Sequence, residues 1–325
     1  MQPRILVVGT GAVGALYAWR LQAAGGHVSC ICRSNYEQVT KNGFDMRSFS
    51  FGNAIFRPDR VFASVQEATD AEPAGYHYII VCTKALPERV STADLIAPAM
   101  TESKTAVVLI QNGVGIEQPV AERFPQNPCV SCIAYVGVTQ TAPGVIEHVL
   151  LGDLTFGPYN RDGATEQTRP ADVDSIIKLM SSGGIKCSAA HHIQAMRWNK
   201  LTWNAPFGAA SVLTGLHDTH TMLDNTECAK LIKEAMEEIW QAATMMFGPE
   251  NFPGPGPVTS PMAQITRTRA AAAYKPSITV DYTNGSPMEV EVIFGNAVRE
   301  AKKRGIPMPR LELLYLMMRI AGQRS

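Results

Sequence analysis

Nowhere in this chain of 325 residues does an apolar run reach the ~20 residues that a helix needs to cross a bilayer. A surplus of one charge is missing too. Lys and Arg total 29, as do Asp and Glu, so no basic surface is set aside for nucleic acid or anionic lipid. Charged residues make up 18% against 46% apolar, which excludes a disordered chain and allows a full core. Seven cysteines are an odd number spread thinly along the chain. That excludes a closed disulfide framework and suits reduced thiols in the cytoplasm. The short apolar stretch after Arg4 runs straight into glycines, so it is expected to be a first strand rather than a secretory leader. The length suits two domains.

What is present is a strand and helix alternation. Residues 4–9, 27–32, 78–83 and 105–110 are continuous apolar runs, the pattern of strands covered on both faces. Helical patterns lie between them over 13–24 and 86–99. Such repetition predicts a doubly wound parallel sheet. From 129 to 157 short strand-like pieces with turn residues predict an antiparallel extension. Residues 160–171 read as a polar loop and 172–182 as a helix. After about residue 190 strand patterns nearly vanish, and 193–215, 224–247, 284–304 and 308–321 all suit helices. Repeated Pro and Gly make 248–261 a long loop.

Gly9-Thr10-Gly11-Ala12-Val13-Gly14 follows the first strand and opens the first helix. In G-x-G-x-x-G the first glycine permits the tight turn and the second lets a pyrophosphate approach. The third lets helix and strand pack closely. Free N–H groups at the helix start then face the phosphates, at the backbone of Gly9, Gly11, Ala12, Val13 and Gly14. The predicted fold class is therefore α/β, a Rossmann doubly wound sheet over 1–188 followed by an all-helical domain over 189–325. The second strand ends Cys32-Arg33-Ser34, without the acid that binds the ribose hydroxyls of NAD. A guanidinium there suits a 2′-phosphate, so Arg33 points to NADPH, the plainer reading being a solvated loop cation.

Lys84 closes the strand at 78–83, where ligands meet such sheets, and is expected to face cofactor or substrate. In Gln111-Asn112-Gly113, Asn112 either faces the nicotinamide ribose or substrate carbonyl, or simply makes a turn, since Asn-Gly is a common turn pair. Lys200 and Asn204 lie four apart on one helix face among Trp198, Leu201 and Trp203. Such pairs are usually solvated, but polar residues within an apolar helix ask for a buried role.

Taken in order, GTGAVG, CTKA, QNGVG, W-x-K-L-x-x-N and KPSITVDYTNGSPMEVEVIFG resemble the ketopantoate reductase (2-dehydropantoate 2-reductase) family over nearly the whole chain. The resemblance implies NADPH-dependent reduction of a 2-oxo acid, 2-dehydropantoate, to pantoate in pantothenate biosynthesis. It implies Lys200 as general acid, with Glu289 helping to set it, and Asn204, Ser277 and Asn112 at the substrate. Arg33, Lys84 and Asn112 match cofactor-facing positions, and Asp281 and Gly295 fall in register. The expected partners are a small-molecule 2-oxo acid and, for the protein itself, a homodimer; no metal, nucleic acid or membrane is expected. The chain departs from the family pattern at the long loop over 248–261 and in three further places. Gly208 stands where a second Asn is usual, Ile278 replaces a Met after Ser277, and Met288-Glu289-Val290-Glu291 replaces Thr-Glu-Ile-Asp. The missing Asn removes one polar substrate contact. A related reductase with a different 2-oxo or β-keto substrate is the alternative, and a non-catalytic NADP(H) sensor is another.

Other features read as structural. Cys129-x-x-Cys132 has metal spacing but no second pair. Cys30 and Cys32 share one strand face, and the adjacent His191-His192 do not chelate one ion. His148 sits in an extended piece without a catalytic role. Paired methionines at 245–246 and 317–318 read as core or interface filler.

Overall fold

The computed structural model describes residues 2–160, 168–215, 217–252 and 260–323. The chain divides into two compact units. The first comprises 1–84, 90–111 and 116–193, and the second 85–89, 112–115 and 194–325.

In the first unit the elements run β1 (Arg4–Val8), α1 (Ala12–Ala23), β2 (His27–Ile31), α2 (Tyr36–Asn42), β3 (Phe44–Ser48), β4 (Gly52–Phe56) and β5 (Arg60–Phe62). They continue α3 (Val65–Ala71), β6 (Tyr78–Val81), α4 (Thr92–Ile96), β7 (Ala106–Leu109), α5 (Gln118–Arg123), β8 (Cys129–Ala142), β9 (Val145–Tyr159), α6 (Pro170–Ser182) and β10 (Cys187–Ala189). One mixed sheet has the order β4-β3-β9-β8-β7-β6-β1-β2-β5, with β10 beside β9. From β8 through β7, β6, β1 and β2 to β5 every pair is parallel. The chain builds outward from β1 in one direction through β2 and β5, then returns to build from β6 the other way. The strand order therefore reverses between β1 and β6, which is where such sheets bind ligands. The central strands are apolar because both faces are covered: Ile5, Leu6, Val7, Ile79, Ile80 and Val108 are fully buried.

Predicted and observed elements differ where apolar runs are short or alternate. β3 alternates buried Phe44, Met46 and Ser48 with less buried partners, and a pattern over five residues is too brief to distinguish from loop. The pieces expected over 129–157 are two long antiparallel strands, β8 and β9, with three irregularities in register. The helix expected over 86–99 shrinks to α4 and a 3-10 turn at Ala97–Ala99. The polar loop at 160–171 lies largely outside the described residues (161–167), and α6 begins at Pro170.

The second unit carries α7 (Ile193–Leu213), α8 (Thr219–Asp224), α9 (Thr226–Phe247), α10 (Pro261–Ala270), α11 (Ser277–Thr283), α12 (Asn296–Lys303) and α13 (Pro309–Ala321). Side-chain oxygens of Asp218, Asn225 and Ser260 cap α8, α9 and α10. Phe207, Met222, Leu223, Ile232 and Met236 form its core. The single helix predicted over 284–304 is interrupted: Asn284-Gly285-Ser286-Pro287 is not helical, and a π turn over Glu291–Gly295 leads into α12. Of the expected loop over 248–261, residues 253–259 lie outside the described residues.

His148 on β9 is buried. Its ring contacts Ser48 Oγ at 2.9 Å and the Leu151 carbonyl, which belongs to a residue at φ 54°. Burial lowers its pKa from 6.5, against an opposing effect of the Leu151 bond. A base depressed in the fold binds protons more readily when unfolded, so stability is complete above about pH 6.5 and falls as the pH drops below it. His148→Gln should flatten the change in urea midpoint between about pH 7.5 and about pH 5, leaving the contribution of His77 and His192, which are lowered likewise. An unchanged slope in the variant would assign the titration to other groups.

Candidate functional site

The glycine loop in the first unit is shaped by contact on two of its three glycines and by space at the middle one. Gly9 has φ 91°, and a Cβ there would lie 2.5 Å from the Thr83 nitrogen. A Cβ on Gly14 would sit 2.3 Å from the Gly9 carbonyl oxygen. A Cβ on Gly11 would meet nothing within 4 Å. Gly11 is the N-cap of α1 and carries no side chain to cap it, and no acid occupies the first turn. The amides of Ala12, Val13 and Gly14 therefore open onto space that a side chain at position 11 would fill. A phosphate group fits this cradle.

Two residues absent from the sequence expectations hold the cradle to the second strand. Thr10 donates its hydroxyl to the Ile31 carbonyl at 2.8 Å, and buried Asn35 donates to the Thr10 carbonyl at 2.9 Å. Arg33 and Ser34 stand between these anchors, both exposed. The Arg33 side chain makes no hydrogen bond or ion pair among the described residues. Lys84 is exposed at the end of the β6 loop. Gln111, after β7, donates to the Thr83 carbonyl at 2.9 Å and ties the two loops together.

In the second unit four chain segments meet. Lys200 on α7 donates from Nζ to Asn112 Oδ1 at 2.8 Å. Asn112 Nδ2 faces Glu289 Oε2 at 3.4 Å. Glu289, 7% exposed, accepts the Ala85 N–H on its other oxygen at 2.9 Å. A carboxylate only accepts, so it fixes the Asn112 amide with Nδ2 toward Glu289 and Oδ1 toward the lysine. Asn112 thus serves as a turn residue and as a bridge. Gly113 behind it has φ 89°, and a Cβ there would lie 2.6 Å from the Val292 carbonyl oxygen.

The π turn explains that close approach. Asn296 N–H bonds the Glu291 carbonyl, five residues back, in place of the Val292 carbonyl, four back. The Val292 carbonyl instead accepts the Val114 N–H at 2.9 Å. Asn296 Nδ2 and buried Arg197 add bonds to the carbonyls of Val114 and Gly113. Arg197 lies three residues before Lys200, and that spacing is the only hint of its role in the sequence.

Asn204 is half-buried one turn beyond Lys200, and Ser277 is exposed at the start of α11. Neither joins the Lys200–Asn112–Glu289 chain of hydrogen bonds. The two departures at 208 and 278 touch: a Cβ on Gly208 would lie 2.7 Å from Ile278 Cγ2. Gly295 leaves room for Glu291, which accepts from Tyr315 at 2.8 Å and Arg299 at 2.9 Å.

Of the cysteines, Cys82 lies against the glycine loop, 3.3 Å from where a Cβ on Gly14 would sit. Cys129 and Cys132 are buried in β8, and burial pushes Cys32 up to about 11 and Cys82 up to about 12. Such thiols stay protonated and unreactive. Among the described residues no helix is long and apolar enough to cross a membrane.

A mixed sheet whose six central strands are parallel, with a glycine loop at its strand-order reversal, and a helical second unit define a two-part Rossmann protein. The family model described as ketopantoate reductase PanE/ApbA matches residues 5–161, and its C-terminal counterpart matches 192–321. An uncharacterized protein of Saccharomyces cerevisiae is 30% identical, over 97% of this chain and 92% of its own. A 2-dehydropantoate 2-reductase of Nostoc is 25% identical over 98% and 95%. The crystal structure of 2-dehydropantoate 2-reductase from Methylococcus capsulatus matches with a TM-score of 0.83 and 34% identity, over 99% of this chain and 98% of that one. The chain belongs to the ketopantoate reductase family, a family of oxidoreductases.

Gly113→Ala should cost about 1–3 kcal/mol in urea denaturation, combining a left-handed backbone with a collision against backbone. Gly11→Ala, with an ordinary φ and open space, should stay within about 0.5 kcal/mol. Equal losses would mean that the bridge segment is held no more tightly than the glycine loop.

Proposed function

We propose that the protein reduces 2-dehydropantoate, a 2-oxo acid, to the 2-hydroxy acid pantoate with NADPH, a step of pantothenate biosynthesis. The observation that carries this reading is the hydrogen-bond chain from the Lys200 ammonium through Asn112 to the buried Glu289 carboxylate. The relatives named 2-dehydropantoate 2-reductase support it. A bound nicotinamide dinucleotide supplies the hydride. Negative charge then builds on the ketone oxygen, and a nearby donor that can release a proton stabilises it best. Lys200 is half-buried and donates to Asn112. Glu289 fixes Asn112, and Asn112 aims the ammonium. Asn204 and Ser277, with Asn112, bind the substrate's carboxylate and hydroxyl.

Gly9, Gly11, Ala12, Val13 and Gly14 hold the pyrophosphate, Arg33 the 2′-phosphate, and Lys84 faces the cofactor. The whole protein acts in the cytoplasm, which suits seven cysteines that are all free thiols.

A second reading is reduction of a different 2-oxo or β-keto substrate, and the contact at 208 and 278 favours it. With Gly208 against the apolar Ile278, no amide is offered at that point on α7. NADPH oxidation with ketopantoate and with a panel of 2-oxo acids decides between them. Faster turnover of another acid favours the second reading. NADPH binding without turnover of any carbonyl compound removes both and leaves a sensor.

In the same assay Arg33→Ala should raise the NADPH KM roughly tenfold or more, the size of a lost charge-assisted contact, with little change for NADH. Equal effects on both cofactors would remove Arg33 from the phosphate site. Lys200→Ala should lower kcat about a hundredfold or more. Lys200→Arg should rescue it poorly, because guanidinium holds its proton near neutral pH. Near-normal kcat in Lys200→Ala would show that water or Glu289 supplies the proton.

A further inference from the structure

The stretch 289–296 grips one short turn, 112–115, in three places. Glu289 faces the Asn112 side chain. The Val292 carbonyl accepts the Val114 N–H at 2.9 Å. Asn296 Nδ2 donates to the Val114 carbonyl at 2.8 Å. Both backbone groups of Val114 are therefore met by the same stretch. Gly113 and Gly115 on either side of it have φ 89° and 69°, and neither has a side chain of its own to hold the turn. From α7, Arg197 donates to the Gly113 carbonyl at 3.2 Å, three residues before Lys200 reaches Asn112.

Asn296 is itself aimed. A guanidinium only donates, so the Arg299 bond to Asn296 Oδ1 at 2.7 Å leaves Nδ2 for Val114. The same Arg299 nitrogen bonds Glu291 at 2.9 Å, and Tyr315 bonds Glu291 at 2.8 Å. A Cβ on Gly115 would lie 3.3 Å from Asn296 Nδ2, so the amide lies close against the turn. The logic repeats that of Glu289 and Asn112: a charged group sets an amide, and the amide sets what it touches.

We propose that Asn296 is a positioning residue for Lys200. By clamping Val114 it holds the turn so that Asn112 keeps its oxygen on the ammonium, and Arg299 acts one step further back by orienting Asn296. This role rests on the reading of Lys200 as proton donor. Displacing a reacting group by about 1 Å can lower a rate about a hundredfold, so a clamp on the turn that carries Asn112 is felt in the chemical step.

Asn296→Asp keeps the shape and a partner for Arg299 but has no N–H for Val114. With 2-dehydropantoate it should lower kcat roughly tenfold or more, with the NADPH KM within about twofold. In a Lys200→Ala background it should lower kcat no further, since residues that act as one unit are not additive. Arg299→Met, at an exposed position, should act in the same way more weakly, and it carries the test if Asn296→Asp is unfolded. A second readout needs no turnover: acetylation of Lys200 by acetic anhydride, followed by mass spectrometry relative to exposed Lys230. The bond to Asn112 must open before the amine reacts, so both variants should speed the labelling severalfold. Equal kcat losses with and without Lys200, or unchanged Lys200 labelling, overturn the role of Asn296. A wild-type chain that turns over no 2-oxo acid defeats the reaction assigned above, and the labelling then decides on Asn296 by itself.

Discussion

A carboxylate taken out of water must be met by donors, and in the second unit Glu289 imposes that requirement on everything around it. One oxygen is met by a backbone amide, that of Ala85, and the other faces the side chain of Asn112. Once Asn112 is turned to serve the carboxylate, its own oxygen has one direction left, and Lys200 occupies it. The Asn112 bond thus links the ammonium to the carboxylate. Removing the carboxylate's charge would weaken the demand on Asn112, and with it the bond that Asn112 accepts from the lysine.

The contributors to this arrangement are far apart in sequence, at 85, 112, 200 and 289. Two of them come from the short segments that lie just beyond β6 and β7 and that belong to the second compact unit, not to the sheet. In the first unit the ends of β1 and β2 carry the glycine loop and the Arg33 turn.

How much of this is legible in the sequence depends on whether the signal is local. The glycine loop is legible because its constraint is steric and confined to six residues: a Cβ at Gly9 or Gly14 strikes backbone, and one at Gly11 strikes nothing. Lys200 is legible as a cation on an apolar helix. Asn112 is only half legible, since Asn-Gly announces a turn and conceals what the amide does. Ala85 is illegible, because its contribution is a backbone N–H that any residue but proline has. Thr10, Asn35 and Arg197 escape notice for a related reason: each acts through a carbonyl that carries no sequence signature. The strands β3 to β5 are short, and the interruption at 284–289 hides inside a pattern whose apolar spacing still suits a helix.

The π turn at Glu291–Gly295 is one residue more than an α-turn needs, and it acts as a phase shift along the helix. Each residue of an α-helix turns the side chains by about 100°, so the extra residue rotates the segment before it relative to the segment after it. The Glu291–Arg299–Tyr315 cluster and the Val292 carbonyl can then face different neighbours within one continuous stretch. Shortening that turn by a single residue would keep nearly every side chain and every propensity, yet swing Glu289 away from Asn112. The information carried there is angular, and a substitution table would overlook it where a count of residues would not.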